Sequence, residues 1–172
     1  MSRAIGRRHL AAMALMAIGM TLSLAGCSPP QYPAIAIYPT SGGGISAVLH
    51  PCGDHRIGRV EVRRLGDGPD GGPGLQNWSL KPPESAKGEL DISILRRPEG
   101  WTGSMTPATE LSKGRDYYMK FVVGRADGTA KYRGVVAFSA ADLARLKNGE
   151  VWTDLKPMTL AEFRKQADGR CA

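Results

Sequence analysis

Short runs of alternating apolar and polar residues recur along the chain, and segments rich in glycine and proline separate them. In the run 57–65, Ile57, Val60 and Val62 alternate with charged residues. A period of two places the apolar side chains on one face of a β-strand. The 22 Gly and 12 Pro residues supply turns and disfavour long helices. The chain is therefore predicted to be mainly β and antiparallel, with strands at residues 34–38, 45–50, 57–65, 77–80, 89–95, 116–124, 130–139 and 151–153.

Residues 116–139 carry the strongest local signal, which is that of a β-hairpin. Two β-rich runs, 116–124 and 130–139, flank Arg125-Ala126-Asp127-Gly128. The Asp-Gly pair tolerates the positive φ angles of a tight turn. The tract 66–74, composed mostly of Gly, Asp and Pro, predicts a surface loop.

Two short helices are predicted near the C-terminus. Ser139 is a suitable N-cap for a helix over residues 141–147. Thr159 and Glu162 have the spacing of a capping box, which predicts a second helix that runs to about Ala167.

The first 26 residues have the zones of an export signal. Arg3, Arg7 and Arg8 make the N-terminal zone basic, and residues 10–24 form an apolar stretch. That stretch is shorter than the roughly 20 apolar residues of a membrane-spanning helix. A removable signal peptide is therefore predicted.

Leu24-Ala25-Gly26-Cys27 follows the apolar stretch and resembles the lipobox of bacterial lipoproteins. The resemblance implies that the Cys27 thiol receives a diacylglyceryl group and that a peptidase cuts before Cys27. The implied partner is the membrane, bound through this lipid. The predicted organisation is a signal peptide over 1–26, a lipid anchor and proline-rich tether over 27–33, and one β-rich globular domain over 34–172.

The lipobox resemblance also implies a location in the cell envelope, facing away from the cytoplasm. Residue 28 is Ser rather than Asp, which resembles the pattern sorted to the outer membrane in organisms with two membranes. In an organism with one membrane, the anchor holds the protein at the cell membrane. The prolines of residues 28–33 favour an extended tether that holds the domain off the membrane surface.

Three cysteines are present, and lipidation of Cys27 leaves Cys52 and Cys171 in an oxidising compartment. A Cys52–Cys171 disulfide is the simplest pairing. The alternative is a metal site, because His50, Cys52 and His55 occur together in His-Pro-Cys-Gly-Asp-His, and imidazole and thiolate ligands bind copper or zinc. A metal bound there would leave Cys171 as a free thiol.

The segment 111–117 is similar to the E–F corner of fibronectin type III and related immunoglobulin-like sandwiches. Leu111, Gly114 and Tyr117 match the leucine, the glycine three residues later and the tyrosine six residues later. The resemblance implies an antiparallel sandwich in which the tyrosine hydroxyl bonds back to the turn backbone. The two C-terminal helices are additions to such a domain, and the alternative is another antiparallel α+β fold.

The charge of the predicted mature region is mild. Three of the 23 Lys and Arg residues lie in the leader, which leaves 20 basic against 16 acidic residues and a net charge of +4. No dense basic block follows the leader, and the pair Arg63-Arg64 is interpreted as a solvated strand face. Nucleic acid is therefore not an expected partner.

The sequence contains neither Gly-x-Ser-x-Gly nor His-Glu-x-x-His, so an enzyme is not expected. The prediction is a lipid-anchored envelope protein without a cofactor, which acts as a structural or protein-interaction module with an unidentified envelope protein as partner. Two alternatives are a metal- or small-ligand-binding lipoprotein that uses the His50, Cys52 and His55 cluster, and an unrecognised envelope hydrolase. The three tryptophans are expected in the core rather than on a binding surface.

Overall fold

The computed structural model describes residues 28–66, 74–124 and 130–171. In this part of the chain, eleven strands form two sheets that pack against each other, and two short helices follow β9 and β11. The strands are β1 (Gln31–Tyr32), β2 (Ile35–Pro39), β3 (Ile45–Leu49), β4 (Ile57–Arg64), β5 (Trp78–Lys81), β6 (Leu90–Ser93), β7 (Thr102–Ser104), β8 (Asp116–Gly124), β9 (Ala130–Ser139), β10 (Glu150–Thr153) and β11 (Lys156–Thr159). The helices are α1 (Ala140–Ala144) and α2 (Leu160–Asp168). The mainly β prediction is confirmed.

The strands of sheet I lie in the order β1-β9-β8-β4-β5-β7, and those of sheet II in the order β11-β10-β2-β3-β6. Among the described strands, β1 pairs with β9 in parallel, and the other pairings are antiparallel. The chain passes from sheet II to sheet I between β3 and β4 and returns to sheet II for β6. It crosses to sheet I again for β7 and returns to sheet II for β10. The residues that face each other across the domain are therefore far apart in sequence.

The main core lies between the two sheets. Alternate residues of β8 and β9 are buried, as the period-two pattern predicts. They pack with buried residues of sheet II such as Ile35, Ile37 and Leu49, each of which has no exposed surface. The same alternation turns the intervening residues of β8 and β9 to the outside.

A second, smaller core lies on the outer face of sheet II, where α2 packs. Phe163 and Ala167 contact Ala36, Val48 and Val151, which are the outward-facing residues of β2, β3 and β10. Helix α2 begins with the predicted capping box, in which Thr159 accepts a hydrogen bond from the Glu162 backbone N–H. Helix α2 therefore covers one face of the domain.

The predicted strands agree with the observed ones to within a few residues, and the hairpin runs 116–124 and 130–139 match β8 and β9. The turn between them and residues 67–73 of the predicted loop lie outside the described residues. Helix α1, predicted over 141–147, is shorter and is capped by Ser139 as expected.

Strands β1, β7 and β11 were not predicted. β1 lies within the predicted tether, where backbone pairing with β9 orders Gln31 and Tyr32 in the absence of an alternating pattern. β7 is exposed throughout, so it carries no apolar signal. β11 joins β10 through Asp154 and Leu155, whose φ angles of 44° and 63° match a type I′ turn without its usual glycine.

In the described residues, no helix has both the length and the apolar character that crossing a membrane requires.

Gly134 in β9 is covered by the ring of Phe121, its cross-strand partner in β8. A Cβ atom at residue 134 would overlap the ring carbon Cε1 of Phe121, which is fully buried. Gly58 in β4 offers a contrast, because a Cβ atom there would lie 3.7 Å from the nearest heavy atom, the carbonyl oxygen of Val122.

The Gly134→Ala substitution is therefore expected to lower the free energy of unfolding by about 1–3 kcal/mol, because the Phe121 ring must move within a packed core. Urea denaturation checks this expectation. Gly58→Ala, the matched control in the same sheet, should stay within about 0.5 kcal/mol of the unaltered protein. Equal losses for the two variants would contradict the ring contact.

Candidate functional site

Cys27 and the leader lie outside the described residues, so the lipobox and the attachment position have no structural account. The chain is described from Ser28, and Pro30 already contacts sheet I. The Pro30 carbonyl oxygen accepts a hydrogen bond of 2.9 Å from the backbone N–H of Arg133. Residues 31 and 32 then pair with β9. The segment before the domain thus joins the outer edge of sheet I.

The sulfur atoms of Cys52 and Cys171 lie at disulfide distance, 2.12 Å apart, as the cysteine count predicted. Cys52 follows β3, and Cys171 follows α2. The backbone N–H of Cys52 also donates a 2.7 Å hydrogen bond to the hydroxyl of the buried Tyr132. The end of the chain is therefore joined to the main core.

His50 lies between two carboxylates. Its Nδ1 atom is 2.7 Å from Oε2 of Glu89, and its Nε2 atom is 2.8 Å from Oδ1 of Asp168. The Arg164 guanidinium binds the same Glu89 carboxylate in a bidentate manner, with Nη2–Oε1 and Nε–Oε2 distances of 2.6 and 2.9 Å. We call His50, Glu89, Arg164 and Asp168 the C-terminal network, because it connects α2 to the ends of β3 and β6.

The charged groups of the C-terminal network are hydrogen-bonded to one another. The hydrogen bond from Arg164 holds the pKa of Glu89 below its ordinary value. Partial burial opposes this effect, and the His50 contact adds to it. The arrangement favours an ionised Glu89 in the folded protein.

His55, the other histidine of the predicted metal cluster, has different partners. Lys131 Nζ lies 3.0 Å from His55 Nε2, and the Tyr132 hydroxyl lies 3.2 Å from His55 Nδ1. Because an ammonium group only donates, Nε2 accepts, and Nδ1 carries the ring proton. With Cys52 at disulfide distance from Cys171, each predicted ligand has another partner. Within the described ranges, no group of three or more His, Cys, Asp or Glu residues is placed to hold a metal ion.

The three tryptophans lie in the core, as expected. Trp78, Trp101 and Trp152 are 4%, 8% and 5% exposed. The indole N–H of Trp78 donates to the carbonyl of Ile94, and that of Trp152 donates to the carbonyl of Ala137. They therefore offer little surface to a ligand.

The outer face of sheet I carries a cluster of basic side chains, which we call the basic face. Arg59, Arg63 and Lys120 surround Glu61, and Arg133 lies on the same face in β9. Arg59 and Arg63 keep 64% and 63% of their side-chain surface exposed. Lys120 Nζ lies 3.0 Å from Oε2 of Glu61, which is 9% exposed. One carboxylate thus faces three cationic side chains.

Glu61 is ionised in this setting. Partial burial raises its pKa, but the hydrogen bond and charge of Lys120, with the charges of Arg63 and Arg59, outweigh that effect, so its pKa is below the ordinary value. Arg133 forms none of the ion pairs found among the described residues, and its Nε atom is buried without a hydrogen-bond partner. The basic face therefore keeps a net positive charge.

An apolar groove lies at one end of the sandwich, beside the turn between β2 and β3. Its volume is about 520 Å³. Pro39, Ile45, Leu111, Leu143 and Leu146 form much of its wall. The groove is open to solvent, and its lining contains no histidine or cysteine.

The sequence interpretation identified the cysteine pair but missed the partners of His50 and the extent of the basic face. Alternation in β4 places Arg59, Glu61 and Arg63 on one side, whereas the sequence interpretation of a solvated strand face covered only the pair Arg63-Arg64. The contributions of Lys120 and Arg133 depend on the neighbouring strands, which no local pattern specifies.

Thiol titration tests the cysteine pair. In a Cys27→Ser chain, which lacks the predicted lipid-bearing thiol, we expect no free thiol before reduction and two after it. Cys171→Ser in the same background should expose one thiol and lower stability by about 4–5 kcal/mol in the chain-entropy model, because 119 residues separate the two cysteines. Two free thiols together with stoichiometric zinc would favour the metal alternative.

The C-terminal network predicts an acid-dependent loss of stability. Glu89→Gln should lower the free energy of unfolding at neutral pH by roughly 0.5–1 kcal/mol, the range for a partly exposed ion pair. Since the folded-state pKa of Glu89 is below its ordinary value of 4.5, the contribution is complete above that pH and disappears as the pH falls through the folded-state pKa.

Urea denaturation of both proteins between neutral pH and about pH 3 measures this difference. Glu84→Gln, an exposed change in the loop before β6, is the control and should give little difference at any pH. A constant gap between the unaltered protein and the Glu89→Gln variant across this range would refute the ion-pair explanation.

No protein-family model, curated protein or solved structure matches this chain.

Proposed function

We propose that this chain is a lipid-anchored protein of the bacterial cell envelope, in which Cys27 carries the lipid and the folded domain is a structural or interaction module without catalytic activity. The structural observation that best supports this proposal is the Cys52–Cys171 pair at disulfide distance. Disulfides persist in oxidising compartments and are rare in the cytosol. The pair therefore supports export independently of the leader.

We infer that the domain is an immunoglobulin-like or fibronectin III-like sandwich with additions. The strand order supports this: β2-β3-β6 correspond to A-B-E of such a domain, and β4-β8-β9 correspond to C-F-G. The Tyr117 hydroxyl accepts a 2.9 Å hydrogen bond from the backbone N–H of Ser112, which supports the corner resemblance. Strands β10 and β11 extend the edge of sheet II, and α2 covers its outer face.

The distribution of side chains supports an interaction role. Helix α2 covers the outer face of sheet II, while the basic face of sheet I presents exposed arginines. His50 and His55 already have partners on their ring nitrogens. A surface for binding is thus better supported than a site for chemistry. Ser28 further supports outer-membrane sorting if the organism has two membranes.

Lipidation of Cys27 is tested by metabolic labelling with an alkyne fatty acid in a bacterial host. The full chain should incorporate the label and sediment with membranes. Cys27→Ser should lose at least about 90% of the label, because the modification requires the thiol, and it should move more slowly in electrophoresis because the leader stays attached.

The double variant Cys52→Ser/Cys171→Ser is the control for the other two cysteines. It keeps Cys27 and should incorporate the label as the unaltered chain does. If Cys27→Ser retained label and membrane association, the anchor would lie elsewhere and the proposed function would be wrong.

A further inference from the structure

The connection between the proposed anchor and the folded domain is short. β1 begins at Gln31, only four residues after Cys27. Four extended residues span at most about 14 Å, since each contributes 3.3–3.6 Å. β1 is fixed along β9, and Pro30 is bonded to Arg133. An anchored domain therefore stays next to the membrane, with the β9 side of sheet I near the anchor.

The residue bound by Pro30 belongs to the basic face. Arg133 lies between the buried Tyr132 and Gly134 in β9, so its side chain faces outward. Across the sheet, Val122 of β8 pairs with both Arg133 and Arg59. The anchor segment and the basic face thus share one edge of the domain.

Cross-strand pairs farther along β4 and β8 extend the same positive surface. Lys120 pairs with Glu61, and Tyr118 pairs with Arg63. Burial raises the pKa of the Tyr118 hydroxyl above its ordinary value, and the charges of Arg133 and Arg63 both oppose this effect, which places the two cations near the same hydroxyl. The four cations and one carboxylate of the basic face give a net charge of +3.

The opposite side of the domain has a different charge pattern. The outer side of sheet II and helix α2 carry four carboxylates, Glu89, Asp91, Glu162 and Asp168, interspersed with cations of β11 and α2, Lys156, Arg164 and Lys165. The positive charge of Arg164 is paired with Glu89. A negatively charged surface would therefore attract the basic face, with its net positive charge, more strongly than the α2 side, where the two signs are mixed.

We propose that the basic face of sheet I lies on the anionic headgroups of the membrane that holds the Cys27 lipid. This orientation rests on the proposed lipid anchor and adds a second attachment to it. Lipid chains combined with a basic patch hold a protein to anionic membranes more firmly than either does alone. Arg59 and Arg63 contact the headgroup phosphates directly. Helix α2 and the C-terminal network face away from the bilayer.

The orientation is tested with the lipidated full-length product, reconstituted into vesicles of phosphatidylcholine alone or with about one third phosphatidylglycerol. An arginine-specific dicarbonyl reagent, read by mass spectrometry, measures the accessibility of each arginine. Arg145 is the matched control, because its side chain is 68% exposed, close to the values for Arg59 and Arg63. Arg164 reports on the opposite side of the domain.

Labelling of Arg59 and Arg63 should fall at least about threefold on the anionic vesicles relative to the neutral ones, while Arg145 and Arg164 change little. The protection should disappear in about 1 M NaCl, where the Debye length is only about 3 Å. Undiminished labelling of Arg59 and Arg63 on anionic vesicles would overturn the proposal. Equal protection of all four arginines would also overturn it, since it would show no preferred face.

Flotation with neutral vesicles in high salt separates this inference from the proposed function. Failure to float there would mean that the chain carries no lipid anchor. A chain that floats but leaves the basic face reactive would refute only the orientation.

A charge-reversal pair provides a second measurement. In the unaltered chain, anionic vesicles should protect Lys120 from amine acylation. The Arg59→Glu/Arg63→Glu variant should lose this protection. The Lys113→Glu/Lys165→Glu variant, with the same change of net charge, should retain it. If both pairs lost the protection equally, net charge rather than the basic face would be responsible, and the proposal would be wrong.

Discussion

The packing of β8 and β9 against sheet II is the constraint on which the rest of the structure depends. Their alternate residues fill the space between the sheets, with the Phe121 ring lying over Gly134. Because the side chains of a strand alternate between two faces, a buried face determines the exposed one. Lys120 and Arg133 face outward since their neighbours in sequence are buried. The basic face is therefore a direct consequence of the core.

Both ends of the described domain are fastened to this sandwich by different interactions. At one end, backbone hydrogen bonds of Pro30 and β1 attach the chain to the edge of β9. At the other, the Cys52–Cys171 pair and the C-terminal network hold α2 against sheet II. The β1 pairing changes the interpretation of the proline-rich segment, which was predicted to hold the domain away from the membrane. A strand that begins at residue 31 leaves too little chain for such a spacer.

Local patterns predicted the elements that bury one face or carry a cap. The hairpin bounds and the Thr159–Glu162 capping box were correct because alternation and capping depend on neighbouring residues. Strands β1, β7 and β11 escaped prediction since they are short and lack an alternating apolar pattern, and the backbone groups that pair them are alike in every residue. In the candidate site, the cysteine pair was the simplest pairing once Cys27 was assigned to the lipid, with a metal site as the alternative. By contrast, Glu89 and Asp168 lie 39 and 118 residues from His50, and no spacing rule connects them.

The sequence by itself determined the β-rich character of the chain, the bounds of the hairpin strands and the two C-terminal helices. These depend on residue type and on short-range periodicity. Only the tertiary structure decided that Arg59, Arg63, Lys120 and Arg133 share one surface and that residues 30–32 join its edge. Such neighbours arise from the order of strands in a sheet, and that order is set by the burial of residues distant in sequence.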